Sequence, residues 1–358
     1  MRVAIIVGVA LTLAWTSAAA QKVKLGKLPS DAQIIFASKM DHVPDKTGIG
    51  YADELYVATA KGRDVTRITY SGWSNNHFDV SPDRTMVATN RMDRGDTDHD
   101  GSITPRDAKD LWVLDLLHGR EYKIAPGMNA GLGGVAWSPD SKFVYFAARS
   151  DDGLDVYRVP ATPGGKPVVV TRNLNQLLGL PDTKKAVTDV GASPDGKWLA
   201  MLYVSDIRQN RKVNTRIVLY KLDGTAARIL TDGGPVHEKP TGIWPNGDFD
   251  PDISPGNKYV AFERNTKPDW SSADIMRVKW DGTDILDVSV PHNQNINGIP
   301  SWSASCKIIY SVWTKTGSYL EVVNWNGTGR YRVPLRNGAH HVQWIPNGGG
   351  GEHRSGKC

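Results

Sequence analysis

The chain has 358 residues, with 43 basic and 38 acidic side chains and a formal net charge of +5 at pH 7. The charges are interspersed along the chain, and this pattern excludes the concentrated basic surface typical of nucleic-acid binding. With 36 glycines, 21 prolines and 12 tryptophans, the composition favours a turn-rich all-β protein.

The first twenty residues form a predicted targeting segment. A positive start at Arg2 precedes an apolar stretch, and three alanines before Gln21 offer a cleavage site. Because the apolar stretch is too short for a comfortable membrane span, we predict that residues 1–20 are a signal peptide. The protein is then exported, periplasmic or secreted, without a membrane span. An uncleaved anchor is the alternative.

One short phrase recurs six times: FDVSPD, VAWSPD, VGASPD, PDISPG, PSWSAS and VQWIPN. Apolar or alternating runs such as KWLAMLYV and KYVAFE follow the phrase. A phrase that returns every 40–60 residues or so indicates an array of supersecondary units. Proline fixes the first turn position, and Asp, Asn or Gly accept the tight reversal. The SAS copy has neither Pro nor Asp and predicts a looser turn. The anchoring positions are Pro82, Pro139, Pro194, Pro255, Ala304 and Pro346.

The two ends of the array complement each other. The strand at 33–38 has no phrase before it, and the last phrase has almost nothing after it. We therefore predict that residues 338–346 form the innermost strand of the blade that begins at Gln33. The predicted fold is an all-β, six-bladed β-propeller of four-stranded antiparallel blades, closed by this C-terminal strand. It covers residues 21–346, and a flexible Gly-rich tail follows at 347–358.

The repeat resembles that of the TolB family. The matching segments include VAWSPDSKFVYFAARSDDGLDVYRV and IVLYKLDGTAARILT, and the resemblance covers nearly all of the mature chain. It implies an isolated TolB-like propeller without the α/β domain that precedes the propeller of TolB. Peptidases with the same repeat need an α/β-hydrolase domain, and the sequence has no G-x-S-x-G nucleophile turn.

Residues 96–107, DTDHDGSITPRD, match a twelve-residue calcium loop. Three aspartates occupy positions 1, 3 and 5, and Gly101 occupies position 6, where the bend needs a residue without Cβ. Because strands flank the loop, we predict a structural Ca²⁺ clip, since a sensor needs a helix pair. The alternative is an acidic surface turn. The predicted ligands are Asp96, Asp98, Asp100, Ser102, Thr104 and Asp107.

A second candidate site follows from the register of the repeat. The position five residues before each anchor is occupied by His77, Gly134, Asp189, Asp250, Ile299 and His341. If this register faces the channel, His77 and His341 could bind a metal or act as acid and base, with two aspartates as ligands or orienting groups. We expect the two histidines on the same side of the channel. The alternative is that these polar groups only solvate a wet axis.

Two cysteines, Cys306 and Cys358, would meet an oxidising environment after export, which permits a disulfide. The sequence leaves their pairing open.

The leading functional hypothesis is a monomeric, calcium-stabilised, non-catalytic module. Its partner would be a protein, peptide or carbohydrate ligand at the channel mouth. The alternative is a propeller enzyme, a carbohydrate-active lyase or hydrolase, that uses the axial ring of histidines and aspartates. Convergence of the axial side chains on one metal ion would favour the enzyme.

Overall fold

The computed structural model describes residues 20–358 except 49, 102, 104–106, 132, 152, 182–183, 206–213, 235–245, 266, 268, 291–294, 337 and 347–357. The predicted signal peptide therefore lies outside the described residues, apart from Ala20. Within the described part, the chain is almost entirely β-structure, and one short helix, α1, spans Leu174–Leu177. None of the helices described is long and apolar enough to cross a membrane.

The strands follow one another in short steps along the described chain. The first twelve are β1 (Gln21–Lys22), β2 (Ile34–Ser38), β3 (Glu54–Ala58), β4 (Thr66–Arg67), β5 (Asn75–Val80), β6 (Met86–Arg91), β7 (Asp110–Asp115), β8 (Arg120–Ile124), β9 (Val135–Trp137), β10 (Phe143–Ser150), β11 (Gly153–Pro160) and β12 (Val168–Val169). The others are β13 (Lys185–Ala192), β14 (Trp198–Ser205), β15 (Arg216–Lys221), β16 (Ala227–Ile229), β17 (Gly247–Ile253), β18 (Tyr259–Asn265), β19 (Ala273–Lys279), β20 (Leu286–Asp287), β21 (Ile296–Trp302), β22 (Lys307–Thr314), β23 (Gly317–Asn324), β24 (Tyr331–Arg332) and β25 (His340–Trp344).

Consecutive strands pair into antiparallel four-stranded units. Five of these units are β5–β8, β9–β12, β13–β16, β17–β20 and β21–β24, and β25 joins β2–β4 in another. Strand β1, which the sequence did not predict, adds to the outer edge of β8. The units stack face to face, so that Leu199 and Met201 of β14 belong to the same buried cluster as Tyr145 and Val156 of the preceding unit. Burial on both faces explains why the middle strands are continuous apolar runs instead of alternating ones.

The first strands of the units succeed one another in space. Strands β5, β9, β13, β17, β21 and β25 are neighbours in that order, and β25 also contacts β5. Strand β25 pairs with β2, with Ile34 opposite Trp344 and Ile35 opposite Gln343. The predicted pairing between residues 338–346 and the strand from Gln33 is therefore present.

The recurring phrase makes the same turn in its divergent copy. In the SAS copy, the Cys306 N–H donates to the Ser303 carbonyl at 3.1 Å and the Lys307 N–H donates to Ser303 Oγ at 2.9 Å. In a proline-containing copy, the Gly196 N–H donates to the Ser193 carbonyl at 2.9 Å. Cys306 takes the positive-φ position of Gly196, with φ 63°. The expected looser turn is wrong, because the serine and the left-handed fourth residue maintain the turn without proline.

Cys306 forms a disulfide with Cys358, at a Cα–Cα distance of 5.8 Å. Cys358 is fully buried, and its carbonyl oxygen accepts a hydrogen bond from the Gly256 N–H at 2.8 Å. The pairing that the sequence left open is therefore formed. The prediction of a flexible tail at 347–358 is wrong for Cys358, since the disulfide and the burial fix it, and residues 347–357 lie outside the described residues.

Candidate functional site

The inner strands surround a cavity of about 770 Å³. All six residues of the sequence-derived register line it, and the prolines of the recurring turns form another part of its wall. The register therefore faces the channel, which is the condition that the sequence left open. The six residues are His77, Gly134, Asp189, Asp250, Ile299 and His341.

A backbone irregularity recurs at this register. The pairing of β13 with β14 shifts between Thr188 and Gly191, and corresponding shifts interrupt β17 and β21. Within these shifts Asp189, Asp250 and Ile299 have φ values of 49°, 48° and 55°. A bulge with a left-handed residue redirects the side chain and is uncommon outside glycine. The fold thus places strained residues together around the cavity, as functional sites often do.

A first group, here called the histidine wall, consists of His77 of β5 and His341 of β25, which line the cavity, and the adjoining His340 of β25. The ring centroids of His77 and His341 are 5.2 Å apart, which agrees with the expected proximity. His341 Nδ1 lies 2.7 Å from His340 Nδ1, and His340 Nε2 lies 3.0 Å from Asp53 Oδ1. Burial, with a contribution from the charge on Lys109, lowers the pKa of His77 to about 4. Burial and the neighbouring histidines hold the pKa of His341 well below its usual value, so both rings are neutral at pH 7.

A second group, here called the carboxyl wall, consists of Asp189 of β13 and Asp250 of β17, which line the cavity, and Glu263 of β18, whose charge acts on Asp250. The Gly134 N–H donates to Asp189 Oδ1 at 3.1 Å. The Glu263 side chain is only 4% exposed and covers Gly298, where an added Cβ would lie 2.0 Å from Glu263 Oε2. Glu263 is not predictable from the register, because it is on the second strand of its unit.

The carboxyl wall retains protons to unusually high pH. Burial raises the pKa of Glu263 to about 8, and the charge on Asp189 adds to this rise. Burial and the charges on Asp189 and Glu263 raise the pKa of Asp250 well above its usual value. Burial also raises the pKa of Asp189. Within the described residues, no Lys, Arg or His contributes to these three shifts. The raised pKa values of this wall are therefore due to burial and to the mutual repulsion of its carboxyls.

Aspartates next to the register join adjacent units through tryptophans. The Trp137 N–H donates to Asp79 Oδ2 at 3.2 Å, and the Trp302 N–H donates to Asp252 Oδ2 at 2.7 Å. Burial raises the pKa of Asp79 to about 7. Trp137 and Trp302 are buried between units.

The four axial candidates do not assemble a metal site. In the described part of the chain, the group of three potential ligands with their atoms within 4.8 Å of one another is Asp96, Asp98 and Asp107. The two axial histidines belong to the histidine wall and the two axial aspartates to the carboxyl wall. In the described part of the chain the four side chains are therefore not gathered around one metal position, and a role of His77 and His341 as metal ligands or as acid and base stays a prediction.

The loop at 96–107 brings three of its predicted ligands together. Gly101 has φ +89° and its N–H donates to Asp96 Oδ2 at 3.0 Å, while Asp96 Oδ1 is buried and has no hydrogen-bond partner. Asp107 Oδ1 accepts a hydrogen bond from the Thr97 N–H at 2.6 Å. Asp100 is not in the group of three, and Ser102 and Thr104 lie outside the described residues. Convergent carboxylates and a buried oxygen without a partner fit a hard cation such as Ca²⁺.

No protein-family model and no curated protein sequence matches the chain. Among solved structures, it is similar to TolB from Acinetobacter baumannii, with a TM-score of 0.60 and 16% identity, covering 89% of this chain and 68% of that one. A putative TolB from Agrobacterium tumefaciens gives a TM-score of 0.56 and 15% identity, covering 88% and 99%. An oligogalacturonate lyase from Vibrio parahaemolyticus is more distant, with a TM-score of 0.49 and 10% identity, covering 89% and 74%. The chain thus has a TolB-like β-propeller fold, and identities this low establish the fold alone.

Proposed function

We propose that this chain is an exported TolB-like β-propeller that acts as a non-catalytic module and binds a ligand in its central cavity. The observation that carries the proposal is the cavity of about 770 Å³, lined by residues from each of the inner strands. Pockets of roughly 300–1,000 Å³ with a few convergent polar groups are typical binding sites. The ligand is a protein segment, a peptide or a carbohydrate that enters at the channel mouth, and the module acts as a monomer.

The proposed architecture is a closed ring of six blades. The antiparallel units and the succession of inner strands from β5 to β25 and back to β5 support it. The pairing of β25 with β2 supports closure by the C-terminal strand. Closure of this kind leaves no inner sheet edge open to aggregation.

A second candidate function is a carbohydrate-active lyase or hydrolase. The hydrogen-bonded series Asp53–His340–His341 favours it. In this series His341 would be the base, His340 would orient it, and Asp53 would hold His340, an arrangement typical of acid–base sites. Against this candidate, the axial histidines and aspartates are not grouped around one metal position. Release of reducing ends or unsaturated products from an oligosaccharide by the wild-type protein, and loss of that release in His341→Asn, would establish the enzyme instead of the module.

The cavity can be filled to test the proposed function. Gly134 lines the cavity, and an added Cβ would meet its nearest neighbour at 3.7 Å, an ordinary contact. Gly134→Trp should therefore fold and place an indole in the channel. We expect peptides or glycans selected on the wild-type protein, measured by calorimetry, to lose binding to this variant while its melting temperature stays within a few degrees. Ligands that bind both proteins equally would show that the cavity is not the binding site.

We further propose that residues 96–107 hold one Ca²⁺ ion that stabilises the fold locally. Asp96, Asp98 and Asp107 would supply carboxylate ligands, and Asp100, Ser102 and Thr104 occupy the remaining predicted positions. Because binding to the native state alone raises stability, the melting temperature should rise with calcium concentration and fall on chelation. Asp98→Ala with Asp100→Ala should abolish this dependence, whereas Asp151→Asn on an exposed turn should retain it. If the melting temperature of the wild type does not respond to calcium, residues 96–107 form an acidic surface turn and not a calcium site.

A further inference from the structure

We propose that one side of the cavity recognises a carboxylate, so that the ligand of the cavity is a peptide or protein segment that presents an acidic side chain there. The site, here called the lysine subsite, consists of Lys61, Lys307, Tyr331 and Trp344, all of which line the cavity. The inference rests on the proposed binding role of the cavity and identifies the chemical class of its ligand.

The charges that line the cavity are distributed unevenly. The two lysines belong to neighbouring units, Lys61 to the turn between β3 and β4 and Lys307 to β22, and the inner strands β25 and β21 of these units are in contact. Among the described lining residues, these two units contribute no Asp or Glu. The lining carboxyls come from β5, β13 and β17 and are Asp79, Asp189, Asp250 and Asp252. The side of the cavity that carries the lysines therefore attracts an anion.

Both lysine ammonium groups are available to a ligand. Lys61 is exposed and Lys307 is half-buried. The Lys61 Nζ lies 4.0 Å from the centroid of the Tyr331 ring, and the Tyr331 hydroxyl donates to the Ala60 carbonyl at 3.3 Å, so that the Lys61 turn is held against the neighbouring unit. In the part of the chain that the structure describes, neither lysine forms an ion pair. Since an ammonium group has three donors, each lysine can hydrogen-bond to a bound anion.

A second, independent observation comes from Trp344, because surface lysines alone do not define a site. The indole N–H groups of Trp137 and Trp302 donate to backbone carbonyls of the preceding unit, at 2.9 and 3.2 Å. Trp344 occupies the same position of the repeat, and its backbone N–H donates to Ser301 Oγ at 3.0 Å. Its indole Nε1, however, is buried and has no hydrogen-bond partner. Buried indole N–H groups normally have a partner, so this donor indicates that a ligand acceptor belongs beside it.

The indole and the lysines belong to one surface. Trp344 and Tyr331 pack against the same buried cluster, and the Tyr331 ring carries the Lys61 ammonium. A carboxylate accepts hydrogen bonds at two oxygens and can therefore bind several donors at once. Hydrogen bonds between charged groups are also stronger than neutral ones. A ligand carboxylate would thus give the indole its acceptor and the two lysines their counter-charge.

The remaining lining favours a peptide over a carbohydrate. Proline has no N–H donor, and a buried hydroxyl without a partner is costly. The wall formed by the recurring turns therefore offers few donors to the ring hydroxyls of a sugar, whereas an amino-acid side chain with an apolar stem and a terminal carboxylate suits it. The prolines of this wall are Pro82, Pro139, Pro194, Pro255 and Pro346.

The test compares two probes of nearly the same shape on the full chain. N-acetyl-glutamate amide carries the carboxylate, and N-acetyl-glutamine amide replaces it by a neutral amide. At low salt near pH 7, we expect the glutamate probe to bind about tenfold more tightly. It should also shift the indole N–H resonance of Trp344, which is assigned by its absence from Trp344→Phe, because this donor gains an acceptor. Equal affinities of the two probes, failure of the glutamate probe to bind, an unshifted Trp344 resonance, or tighter binding of glucuronate than of the glutamate probe would overturn the proposal.

Three variants locate the binding. Lys61→Gln and Lys307→Gln each remove one ammonium group and should weaken the glutamate probe about tenfold. Lys315→Gln removes the same charge from an exposed turn of the same unit as Lys307 and should leave the affinity unchanged. Circular dichroism of each variant checks folding, and the comparison of probes on the wild type needs no variant. An equal loss of affinity in Lys315→Gln would mean that the probe responds only to the overall charge, and the proposal would be wrong.

Peptides selected on the wild type separate this inference from the proposed function. If they lose binding to Gly134→Trp but bind Lys61→Gln and Lys307→Gln as tightly as the wild type, the cavity is a binding site and the carboxylate assignment is wrong. If they bind Gly134→Trp as tightly as the wild type, the proposed function is wrong, and the glutamate probe decides on the lysine subsite alone. Both proposals stand when the selected peptides lose binding to Gly134→Trp and to both lysine variants.

Discussion

The carboxyl wall and the histidine wall share a backbone feature, a residue with positive φ at one register position, but present different side chains there. His341 and Asp250 both have positive φ, 48° in each case, at the same register of the repeat. His341 is hydrogen-bonded to His340, which is paired with Asp53, whereas the charges on Asp189 and Glu263 raise the pKa of Asp250. The repeat therefore determines the position at which a side chain enters the cavity, and the residue type at that position differs from blade to blade. A propeller can thus place unlike groups opposite each other without changing its fold.

Removing β25 should lower the free energy of unfolding more than any other change. It deletes two of the three histidines of the histidine wall and leaves every residue of the carboxyl wall in place. Deleting residues 338–346 exposes the edge of β2 and opens the contact between β25 and β5. We expect a loss of more than about 4 kcal/mol in the free energy of unfolding, measured with urea. His341→Asn, which keeps the strand, serves as the control and should lose much less. A deletion variant with an unchanged melting temperature would contradict the closed ring.

Replacing one buried carboxyl by a neutral amide should raise the free energy of unfolding, and by less than the deletion of β25 lowers it. A carboxyl whose pKa is raised on folding contributes stability at pH values below its unfolded pKa, and this stability is lost as the pH rises through the folded value, about 8 for Glu263. Glu263→Gln should therefore be more stable than the wild type by about 2 kcal/mol near pH 8 and show little gain near pH 5. Urea denaturation at both pH values measures this difference. A gain that does not depend on pH would mean that Glu263 is ionised in the fold at both.

Replacing one histidine should change the free energy of unfolding least, and only at acidic pH. A histidine whose pKa is lowered on folding contributes stability above its unfolded pKa, and this stability is lost as the pH falls toward the folded value, about 4 for His77. His77→Asn should lose less stability than the wild type between about pH 6.5 and 4.5, by roughly 1 kcal/mol. His42→Asn, at an exposed position, is the matched control and should keep the acid sensitivity of the wild type. The same acid sensitivity in wild type and His77→Asn would show that His77 is solvated.

The sequence predicted those features that depend on local patterns. The recurring phrase located the inner strands, the register that lines the cavity, and the pairing of β25 with β2. It could not reveal Glu263, because that residue is on the second strand of its unit, outside the register, and its side chain lies over Gly298 of the next unit. The prediction of a looser turn at Ser303 was wrong, because it treated Pro and Asp as essential to the turn. The Ser303 hydroxyl and the positive φ of Cys306 are sufficient to form it.

The pairing of residue 34 with residue 344 has a consequence for the time course of synthesis. A chain that emerges from the ribosome from its first residue presents β2 to β4 early, yet the strand that completes their sheet is among the last to appear. Contacts this distant in sequence form slowly, and an unpaired strand edge invites aggregation while it waits. The sheet of β2 to β4 is therefore begun early and completed late, and one edge of β2 stays unpaired for most of the synthesis of the chain.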